Sequence, residues 1–560
     1  MSESDVPVRP ETTGVTTDVN GAYPRLTDEQ IMLLSRYGEK RLVDKGEALF
    51  REGDPDCDFF VILSGSVAVV QETEGEPRLI AVHGPRRFLG GVALLTGQRP
   101  YLTAIAQEPT EVLVIPVDNL KEAVTEDPGL GDLILRAFLL RRSLHRGIGA
   151  GFRIIGSRFS PDCRRLRDFA SRNRLAYKWI DLEQDREAET ILQRLNISPE
   201  QTPVVIWKGR NVLHNPSNAE LASLIGLRSP ASGACDLLVV GAGPAGLAAA
   251  VYGASEGLST VVLDAVATGG QAATSPQIEN YLGFPAGISG AELADRAVIQ
   301  ARKFGASFTI PAEAVALSEV GGSHVVRISG DTDVTAHAVV LATGARYRRL
   351  DVPGVERLEG SSVYYAATET EAKLCRADPV VVVGGGNAAG QASVFLAKHA
   401  SAVNLVIRHA DLGRDMSRYL ADVINRTPRI RVWRNSEIVE LLGETMLEEV
   451  VIEDLGTGDR RRIPAAALFV LIGSVPHTQW LNGQLPLDES GFVVTGRQIT
   501  AEVGPDNPCG PSMFETARPG VFAVGDVRSG SVKRVASAVG EGAVVVRLVH
   551  EFMASSGGFS

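Results

Sequence analysis

Short apolar runs separated by glycine and polar turns fill residues 23–148. Phe59-Phe60-Val61-Ile62-Leu63 and Val67-Ala68-Val69-Val70 are two such runs. Strands of this length at regular spacing predict a β-barrel or jelly roll. From Leu120 to about Leu144 the apolar residues recur at helical spacing instead, which predicts that this segment ends in a helix.

Residues 150–229 alternate between strand and helix patterns. Strands are predicted at Phe152–Ile155, Tyr177–Asp181 and Thr202–Trp207, and a helix from Cys163 to Asn173. Thr202-Pro203 provides an X-Pro bond, the kind of bond that can be cis. This order of elements resembles the thioredoxin/glutaredoxin fold, and that family carries Cys-x-x-Cys where this chain has Ser160-Pro161-Asp162-Cys163.

Two apolar strands further along each run into a glycine-rich turn and then a helix. The first turn follows Val240, and Asp264 ends the next strand. The glycines let the backbone approach a pyrophosphate at a helix N-terminus, and the acid can bind a ribose. The first turn is Gly241-Ala242-Gly243-Pro244-Ala245-Gly246, and the second is Gly384-Gly385-Gly386-Asn387-Ala388-Ala389.

The strand after the second turn ends in Arg408-His409 rather than in an acid. An arginine at this position can accommodate the 2′-phosphate of NADP. We therefore expect NADPH rather than NADH, with assistance from Arg414; the alternative is that Arg408 and Arg414 are simply solvated.

Composition narrows the classes of function. The 560 residues carry a net charge of −11, and 44% are hydrophobic. The acidic balance argues against a nucleic-acid partner, and no apolar run approaches the roughly 20 residues that a membrane span needs. The five cysteines are far apart without a Cys-x-x-Cys, so we expect neither a disulfide scaffold nor a metal site. We expect a cytoplasmic protein without a secretory signal.

The predicted fold class is multidomain α/β, with a jelly roll plus helices, a thioredoxin-like domain and two Rossmann-like three-layer dinucleotide-binding domains. The second dinucleotide-binding domain is inserted into the first, since Leu341–Ala345 is typical of a crossover and Gly520–Asp526 of a return. The expected segments are a disordered lead (1–22), a cyclic-nucleotide-binding-like domain (23–148), a thioredoxin-like domain (150–229), an FAD-binding domain in two parts (233–347 and 472–560) and an NADPH-binding domain (348–471).

The N-terminal pattern Lys45–Asp54, followed by Phe60–Val67, resembles the cyclic-nucleotide-binding domain family. That family holds the ribose with a glutamate and the cyclic phosphate with an arginine. Here Gly91 and Tyr101 stand at those positions. The resemblance therefore implies a docking or dimerising domain rather than a cyclic-nucleotide site, although Arg99 leaves another anionic ligand open.

Residues Cys235–Met553 resemble low-molecular-weight thioredoxin reductases. The stretches that carry the resemblance are Gly269-Gly270-Gln271, Ile278–Pro285 with Asn280, Ala342-Thr343-Gly344-Ala345, Leu468–Gly473 and Gly525-Asp526. The resemblance implies FAD, NADPH, a homodimer and hydride transfer from nicotinamide to flavin. It also implies that Asp526, Arg534 and Val535 lie beside the flavin, although Lys533-Arg534-Val535 differs from the usual Arg-Gln-Ala.

The redox centre departs from this family. The family's Cys-Ala-Thr-Cys follows a tyrosine, whereas Tyr365 is followed by Ala366-Ala367-Thr368-Glu369. Glu369 is a candidate proton donor or an ordinary helix acid. Cys163 is a candidate thiol whose pKa a helix N-terminus can lower; the alternative is an inert residue.

We therefore expect an FAD-dependent NADPH oxidoreductase that passes electrons to a small redox protein or a small-molecule acceptor. Ferredoxin–NADP reductases of this fold also lack the cysteine pair and are the nearest functional analogue. The alternative is a redox- or nucleotide-sensing regulatory flavoprotein with little turnover.

Overall fold

The computed structural model describes residues 15–54, 57–71, 77–90, 99–147, 149, 151–207, 211–227, 233–275, 277–330, 332–359, 361–365, 367, 371–372, 375, 377–481, 483–499 and 512–555. The chain forms two compact units, Met1–Pro230 with Thr309–Pro311 and Ala231–Phe308 with Ala312–Ser560. None of the described helices combines the length and apolar character needed to cross a bilayer.

Two four-stranded antiparallel sheets open the first unit, with strand orders β1-β8-β3-β6 and β2-β7-β4-β5. The strands are β1 (Glu39–Val43), β2 (Ala48–Phe50), β3 (Phe59–Ser64), β4 (Val67–Gln71), β5 (Arg78–His83), β6 (Phe88–Leu89), β7 (Thr103–Ala106) and β8 (Thr110–Ile115). Because side chains alternate along a strand, Phe60 and Ile62 pack between the sheets, whereas Phe59 and Val61 pack against the helices.

The helices of this part are α1 (Asp28–Leu34), α2 (Val117–Glu126) and α3 (Pro128–Gly147). The helical pattern predicted from Leu120 to Leu144 is therefore two helices. Pro128 explains the break, since proline has no N–H for a helix interior but suits the first turn of a new helix.

The lead predicted to be disordered over residues 1–22 is ordered from residue 15. Thr16 pairs with β5 through both its backbone N–H and its hydroxyl, at 2.9 and 2.8 Å from Val82. Ala22 and Tyr23 are buried against Ala81. The prediction is wrong for residues 15–22 because backbone pairing and two buried side chains hold them; residues 1–14 lie outside the described part of the chain.

The rest of the first unit is a four-stranded sheet of order β10-β9-β11-β12. Its strands are β9 (Phe152–Gly156), β10 (Tyr177–Asp181), β11 (Val204–Trp207) and β12 (Asn211–His214), and its helices are α4 (Pro161–Arg172), α5 (Arg186–Arg194) and α6 (Asn218–Leu224). β9 and β10 are parallel and the other pairs antiparallel. The three predicted strands are confirmed, and the Thr202–Pro203 bond is cis.

The second unit contains a seven-stranded sheet of order β15-β14-β13-β18-β17-β16, with β29 beside β18. The strands are β13 (Ala234–Val240), β14 (Thr260–Leu263), β15 (Ser307–Thr309), β16 (Ala314–Val320), β17 (Ser323–Ile328), β18 (Thr332–Leu341) and β29 (Val521–Ala523). The associated helices are α7 (Pro244–Ser255), α8 (Gly290–Lys303) and α12 (Val535–Ser555).

A parallel sheet of order β20-β27-β21-β22-β23 lies between β18 and β29 in the chain. Its strands are β20 (Val363–Tyr364), β21 (Pro379–Val383), β22 (Ala402–Val406), β23 (Ile430–Trp433) and β27 (Ala467–Val470), beside an antiparallel sheet of β24 (Ser436–Leu442), β25 (Glu449–Asp454) and β26 (Arg460–Pro464). The helices are α9 (Val355–Leu358), α10 (Asn387–Leu396) and α11 (Arg418–Arg426).

The chain enters and leaves this second part of the unit through β19 (Ala345–Tyr347) and β28 (Ser474–Pro476), which pair with each other antiparallel. Short 3₁₀ turns complete the chain at Pro199–Gln201, Gly270–Thr274, Leu412–Arg414, Gln479–Leu481, Gly496–Gln498 and Gly525–Val527.

Candidate functional site

The first glycine turn lies at the carboxyl end of β13. Gly241 has φ +110°, and a Cβ there would lie 2.2 Å from the carbonyl oxygen of Ala342. A Cβ on Gly246 would lie 1.8 Å from the oxygen of Gly241. Gly243 is different, because the nearest atom to its Cβ position is 4.0 Å away. Two glycines thus allow close packing, while Gly243 leaves open backbone at the start of α7, where a pyrophosphate fits.

Asp264 follows β14 and organises this turn. One carboxylate oxygen accepts from the N–H of Ala242 at 2.8 Å, and the other accepts from Val266 and Ala267 at 2.9 and 3.0 Å. If Asp264 binds a ribose hydroxyl, as predicted, that hydroxyl would share a carboxylate that already accepts three backbone hydrogen bonds.

A second loop closes on the first. Gly269 donates to the carbonyl oxygen of Ala242 at 2.6 Å, and a Cβ on Gly270 would lie 3.0 Å from the Cα of Gly243. The amide of Gln271 donates to the carbonyl oxygen of Ala345 on β19. The loop predicted from the Gly-Gly-Gln motif is thus held between the first glycine turn and the crossover.

Thr343 and Gly344, two further predicted residues, lie in the crossover itself. The Thr343 hydroxyl donates to the carbonyl oxygen of His477 at 3.1 Å, and Gly344 has φ +65°. A third predicted residue, Asn280, is exposed on the loop that the Ile278–Ile288 bridge closes. Asn280 is therefore accessible to a ligand, although its side chain forms no hydrogen bond with another described residue.

The return loop at Gly525-Asp526 meets the first turn. A Cβ on Gly525 would lie 2.8 Å from the Cβ of Ala245. The Gly525 N–H donates to Glu541 at 2.7 Å, and Glu541 pairs with Arg528 at 2.5 Å in a largely buried ion pair. Neither Glu541 nor Arg528 was predicted, because 13 residues and a loop separate them and no local pattern marks the pair.

Asp526 and the start of α12 lie together. Burial raises the pKa of Asp526, and the nearby Lys533 ammonium opposes that rise. Lys533 donates to the carbonyl oxygen of Asp526 at 2.5 Å. Arg534 is exposed, and Val535 begins α12. The structure therefore gathers the residues predicted for FAD from four separate stretches around the first glycine turn.

The second glycine turn has the same construction. Gly384 has φ +143°, and a Cβ there would lie 2.1 Å from the carbonyl oxygen of Leu471. Gly386 caps α10, which continues through Ala388. The side-chain oxygen of Asn387 accepts from the backbone N–H of Ser417 at 2.7 Å. This turn therefore offers a second helix N-terminus for a dinucleotide.

Basic residues after β22 are paired with acids that were not predicted from the sequence. The guanidinium of Arg408 is 67% exposed and lies 3.5 Å from Glu437. His409 contacts Arg414 at 3.0 Å and Asp415 at 3.5 Å. The Asp415 carboxylate is also 3.9 Å from the Cβ position of Gly385. Phosphate recognition here would compete with Glu437 and Asp415.

Cys163 lies at the first turn of α4 but is fully buried. Its N–H donates to the Ser160 hydroxyl at 3.4 Å, and a Cβ on Gly156 would lie 2.4 Å from its sulfur. Of the two interpretations left open, the structure supports the inert residue, because burial raises the pKa of the Cys163 thiol more than the Ser160 hydrogen bond and nearby Arg167 lower it. A buried thiol with a raised pKa is a poor nucleophile.

The other described cysteines are also free thiols. Burial raises the pKa of Cys57, Cys235 and Cys375 to about 12 in each case. Glu369, the other predicted catalytic residue, lies outside the described part of the chain, as do Ala366 and Thr368. The described thiols therefore provide no reactive group beside the first glycine turn.

Residues 235–542 match the family model "Pyridine nucleotide-disulphide oxidoreductase", which spans more than half of the chain. The chain belongs to this family. As a thioredoxin-reductase-like member, it is an FAD-dependent oxidoreductase, and thioredoxin reductases of the family use FAD and NADPH. A second family model, "Cyclic nucleotide-binding domain", matches residues 40–127.

Each relative described here covers little more than half of this oxidoreductase. A thioredoxin reductase from Streptomyces clavuligerus is 33% identical over 55% of this chain and 90% of the relative. A 34.2 kDa protein in a rubredoxin operon of Clostridium pasteurianum is 32% identical over 57% and 97%. The crystal structure of Lactococcus lactis thioredoxin reductase has a TM-score of 0.52 at 25% identity, covering 57% of this chain and 99% of that one.

In the part of the chain that matches the cyclic-nucleotide-binding model, Tyr101 is engaged in packing. Tyr101, predicted to replace the phosphate-binding arginine, contacts His145 at 2.9 Å through its hydroxyl. Its ring packs against both the barrel core and the core of the next sheet. Arg99 donates its backbone N–H to the carbonyl oxygen of Ile225 at 3.1 Å. Gly91 lies outside the described residues.

Proposed function

We propose that this oxidoreductase passes electrons from NADPH through FAD to an acceptor that reaches the flavin directly, without a redox disulfide in the chain. The observation that carries the proposal is the contrast between a complete nucleotide cradle and the absence of a thiol pair. Stretches 241–246, 264–271, 343–345 and 525–526 converge on one turn, whereas the five cysteines of the sequence form no Cys-x-x-Cys.

The first cradle supports FAD as the resident dinucleotide. Gly243 leaves backbone N–H groups open at the start of α7, Asp264 holds the turn, and Gly525-Asp526 closes against Ala245. When bound, flavin and nicotinamide supply the hydride-transfer chemistry, while the chain supplies binding and orientation.

The second cradle supports NADPH. The guanidinium of Arg408 is exposed at the carboxyl end of β22, where it can reach a 2′-phosphate. The Arg414–His409 contact adds a second basic group nearby. Glu437 and Asp415 compete with a 2′-phosphate for these basic groups. We therefore propose a preference for NADPH over NADH rather than an absolute selection.

Electron transfer through Cys163 is disfavoured, because the buried Cys163 thiol has a raised pKa and Ser160 occupies the other redox-loop position. We propose that residues 150–229 are a thioredoxin-like adaptor and that the acceptor is a small redox protein, a quinone, dioxygen or another small molecule. We further propose a cytoplasmic homodimer, as the resemblance implies.

Anaerobic titration tests this proposal. One equivalent of NADPH should bleach the flavin absorbance of the purified full chain, and NADH should do so more slowly. Adding one-electron acceptors should restore the absorbance, whereas oxidised thioredoxin should not. Rapid reoxidation by thioredoxin would contradict the proposal.

The second candidate function is a regulatory flavoprotein. Its supporting observation is Tyr101, the residue predicted at the phosphate-binding position, whose ring packs against two cores of the first unit. Flavin reduction by NADPH without steady turnover on any acceptor would favour this alternative over the oxidoreductase proposal.

A further inference from the structure

The N-terminal unit buries an unusual set of basic side chains outside its β-barrel. Arg87, Arg141 and His83 are 4%, 5% and 2% exposed. Ile80 packs on the core between the sheets, so Ala81 and His83 face the opposite side of β5, where Tyr23 and Leu140 lie. The set is therefore separate from the barrel interior.

Both guanidinium groups in this set keep buried donors that have no acceptor among the described residues. These donors are Nε and one terminal nitrogen of Arg87, and one terminal nitrogen of Arg141. Arg141 uses its other donors on the carbonyl oxygens of Ala22 and Phe88, at 2.7 and 3.1 Å. Neither arginine forms an ion pair with any described residue. Buried donors of this kind are rarely left unmet in folded proteins, and a buried uncompensated charge is strongly unfavourable.

Aromatic rings surround the guanidinium of Arg141. Its central carbon lies 4.6 Å from the ring centroid of Phe88, 5.3 Å from Tyr23 and 5.6 Å from Phe138. His83 lies against the Tyr23 ring at 5.3 Å, and its Nδ1 also lacks a partner.

Residues 15–26 cover the set. This segment pairs with β5 through Thr16, and Tyr23 is fixed by the hydrogen bond from its N–H to Asp18 at 2.7 Å. Asp18 is exposed, and its single negative charge cannot balance two guanidinium groups. Opening this segment would give a ligand access without disturbing the barrel core.

We propose that Arg87, Arg141 and His83 form a binding site for a phosphate-type oxoanion beneath residues 15–26. Nε and one terminal nitrogen of Arg87 can donate paired N–H bonds to phosphate oxygens, and the unpartnered terminal nitrogen of Arg141 can donate a further bond. The site is distinct from the position where Tyr101 replaces the phosphate ligand of the cyclic-nucleotide-binding family. Either inorganic phosphate or the terminal phosphate of a phosphomonoester supplies this chemistry.

Calorimetry on the full chain in phosphate-free buffer tests the site. Inorganic phosphate should bind saturably at constant ionic strength and raise the melting temperature of the first unit. Adenosine 5′-phosphate distinguishes the sources: tighter binding than phosphate identifies a phosphomonoester, and weaker binding identifies the free ion. Adenosine and cyclic AMP should not bind here, because neither offers a dianion.

Arg87→Met removes two unmatched donors and keeps an apolar side chain of similar length. This variant should lose at least tenfold in phosphate affinity, yet melt no lower than the wild type without phosphate. Arg141→Lys keeps the charge but not the guanidinium donors, so it should also lose phosphate affinity. It serves as the second test variant if Arg87→Met does not fold. The matched control is Arg136→Met, which removes an exposed arginine from α3, the helix that carries Arg141, and should bind phosphate like the wild type.

Two results would overturn the proposal. One is that the melting temperature of the wild type changes with ionic strength alone and that phosphate binding does not saturate. The other is undiminished phosphate affinity in a folded Arg87→Met or Arg141→Lys variant. Neither readout involves flavin or NADPH, so the result is independent of the proposed oxidoreductase function.

Discussion

At the scale of single residues, the glycines of the first turn have two separate roles. Gly241 and Gly246 are needed for backbone packing, whereas Gly243 leaves space beside the turn. Replacing Gly243 with valine should therefore block the pyrophosphate and yield colourless protein, while the apoprotein melts close to the wild type. Absorbance at flavin wavelengths and thermal melting measure the two effects.

Gly246→Ala is the contrasting variant. Its Cβ would lie 1.8 Å from the oxygen of Gly241, so it should lower the stability of the apoprotein itself. A yellow Gly243→Val protein with normal FAD content would show that the pyrophosphate does not approach this turn.

Arg408 determines the second prediction at this scale. Arg408→Ala should raise KM for NADPH on the order of tenfold, about 1.4 kcal/mol, and leave KM for NADH nearly unchanged, because only NADPH carries the 2′-phosphate. Glu437→Gln should lower KM for NADPH, since it releases Arg408 from its 3.5 Å pairing. Equal losses for both nucleotides in Arg408→Ala would show that Arg408 does not bind the phosphate.

His145 makes the stability of the first unit sensitive to pH. Burial lowers the pKa of His145 from 6.5 to about 4, so folding favours its neutral form. The contribution is complete above pH 6.5 and is lost as pH falls from 6.5 to 4, where the unfolded chain binds the proton more readily. At full effect such a pKa difference corresponds to roughly 3 kcal/mol.

Melting curves between pH 7.5 and 4.5 measure this dependence. His145→Gln can still form a hydrogen bond with the Tyr101 hydroxyl, and it should weaken the pH dependence. The pH dependence that remains should come from His83, whose pKa is also lowered by burial. His214→Gln changes an exposed histidine and should leave the curves as in the wild type. Identical curves for His145→Gln and the wild type would contradict the assignment.

At the scale of elements, α7 and α12 touch through backbone. A Cβ on Gly542 would lie 2.1 Å from the carbonyl oxygen of Ala245, the residue that also meets Gly525. Gly542→Ala should therefore push the helices apart, cost about 1–3 kcal/mol of stability and weaken FAD binding.

Gly540 on the same helix provides the control, because nothing lies within 4 Å of its Cβ position. Gly540→Ala should stabilise the protein by about 0.5–1 kcal/mol through helix propensity and leave FAD content unchanged. Denaturant unfolding with flavin absorbance compares the two variants. Equal stability of both would mean that the two helices can separate without loss.

At the scale of the whole molecule, the question is how electrons leave the flavin. Cys163→Ser should leave NADPH consumption unchanged with every acceptor that works for the wild type, because the Cys163 thiol is buried. Steady-state assays with artificial acceptors and with oxidised thioredoxin measure this. Loss of a thiol-dependent activity in Cys163→Ser would contradict this prediction and would support electron transfer through the Cys163 thiol.

The sequence alone determined the features that rest on local pattern. Both strand–glycine–helix turns, the acid after β14 and the insertion of one dinucleotide-binding part into the other follow from motifs in consecutive residues. The strands of residues 152–207 likewise follow from runs of apolar residues. One of the two cis bonds among the described residues lies at Thr202-Pro203, which the sequence identifies as a bond that can be cis.

Tertiary structure decided everything that depends on distant neighbours. Glu541 and Arg528 meet at the first turn only because α12 packs against α7, and Glu437 reaches Arg408 from a different strand. The sequence left Cys163 open between a reactive thiol and an inert residue, because a helix N-terminus is visible in sequence, whereas the burial that raises the pKa of the thiol is not. Burial and the choice of ion-pair partners depend on residues that are far apart in the chain, so no local sequence pattern predicts them.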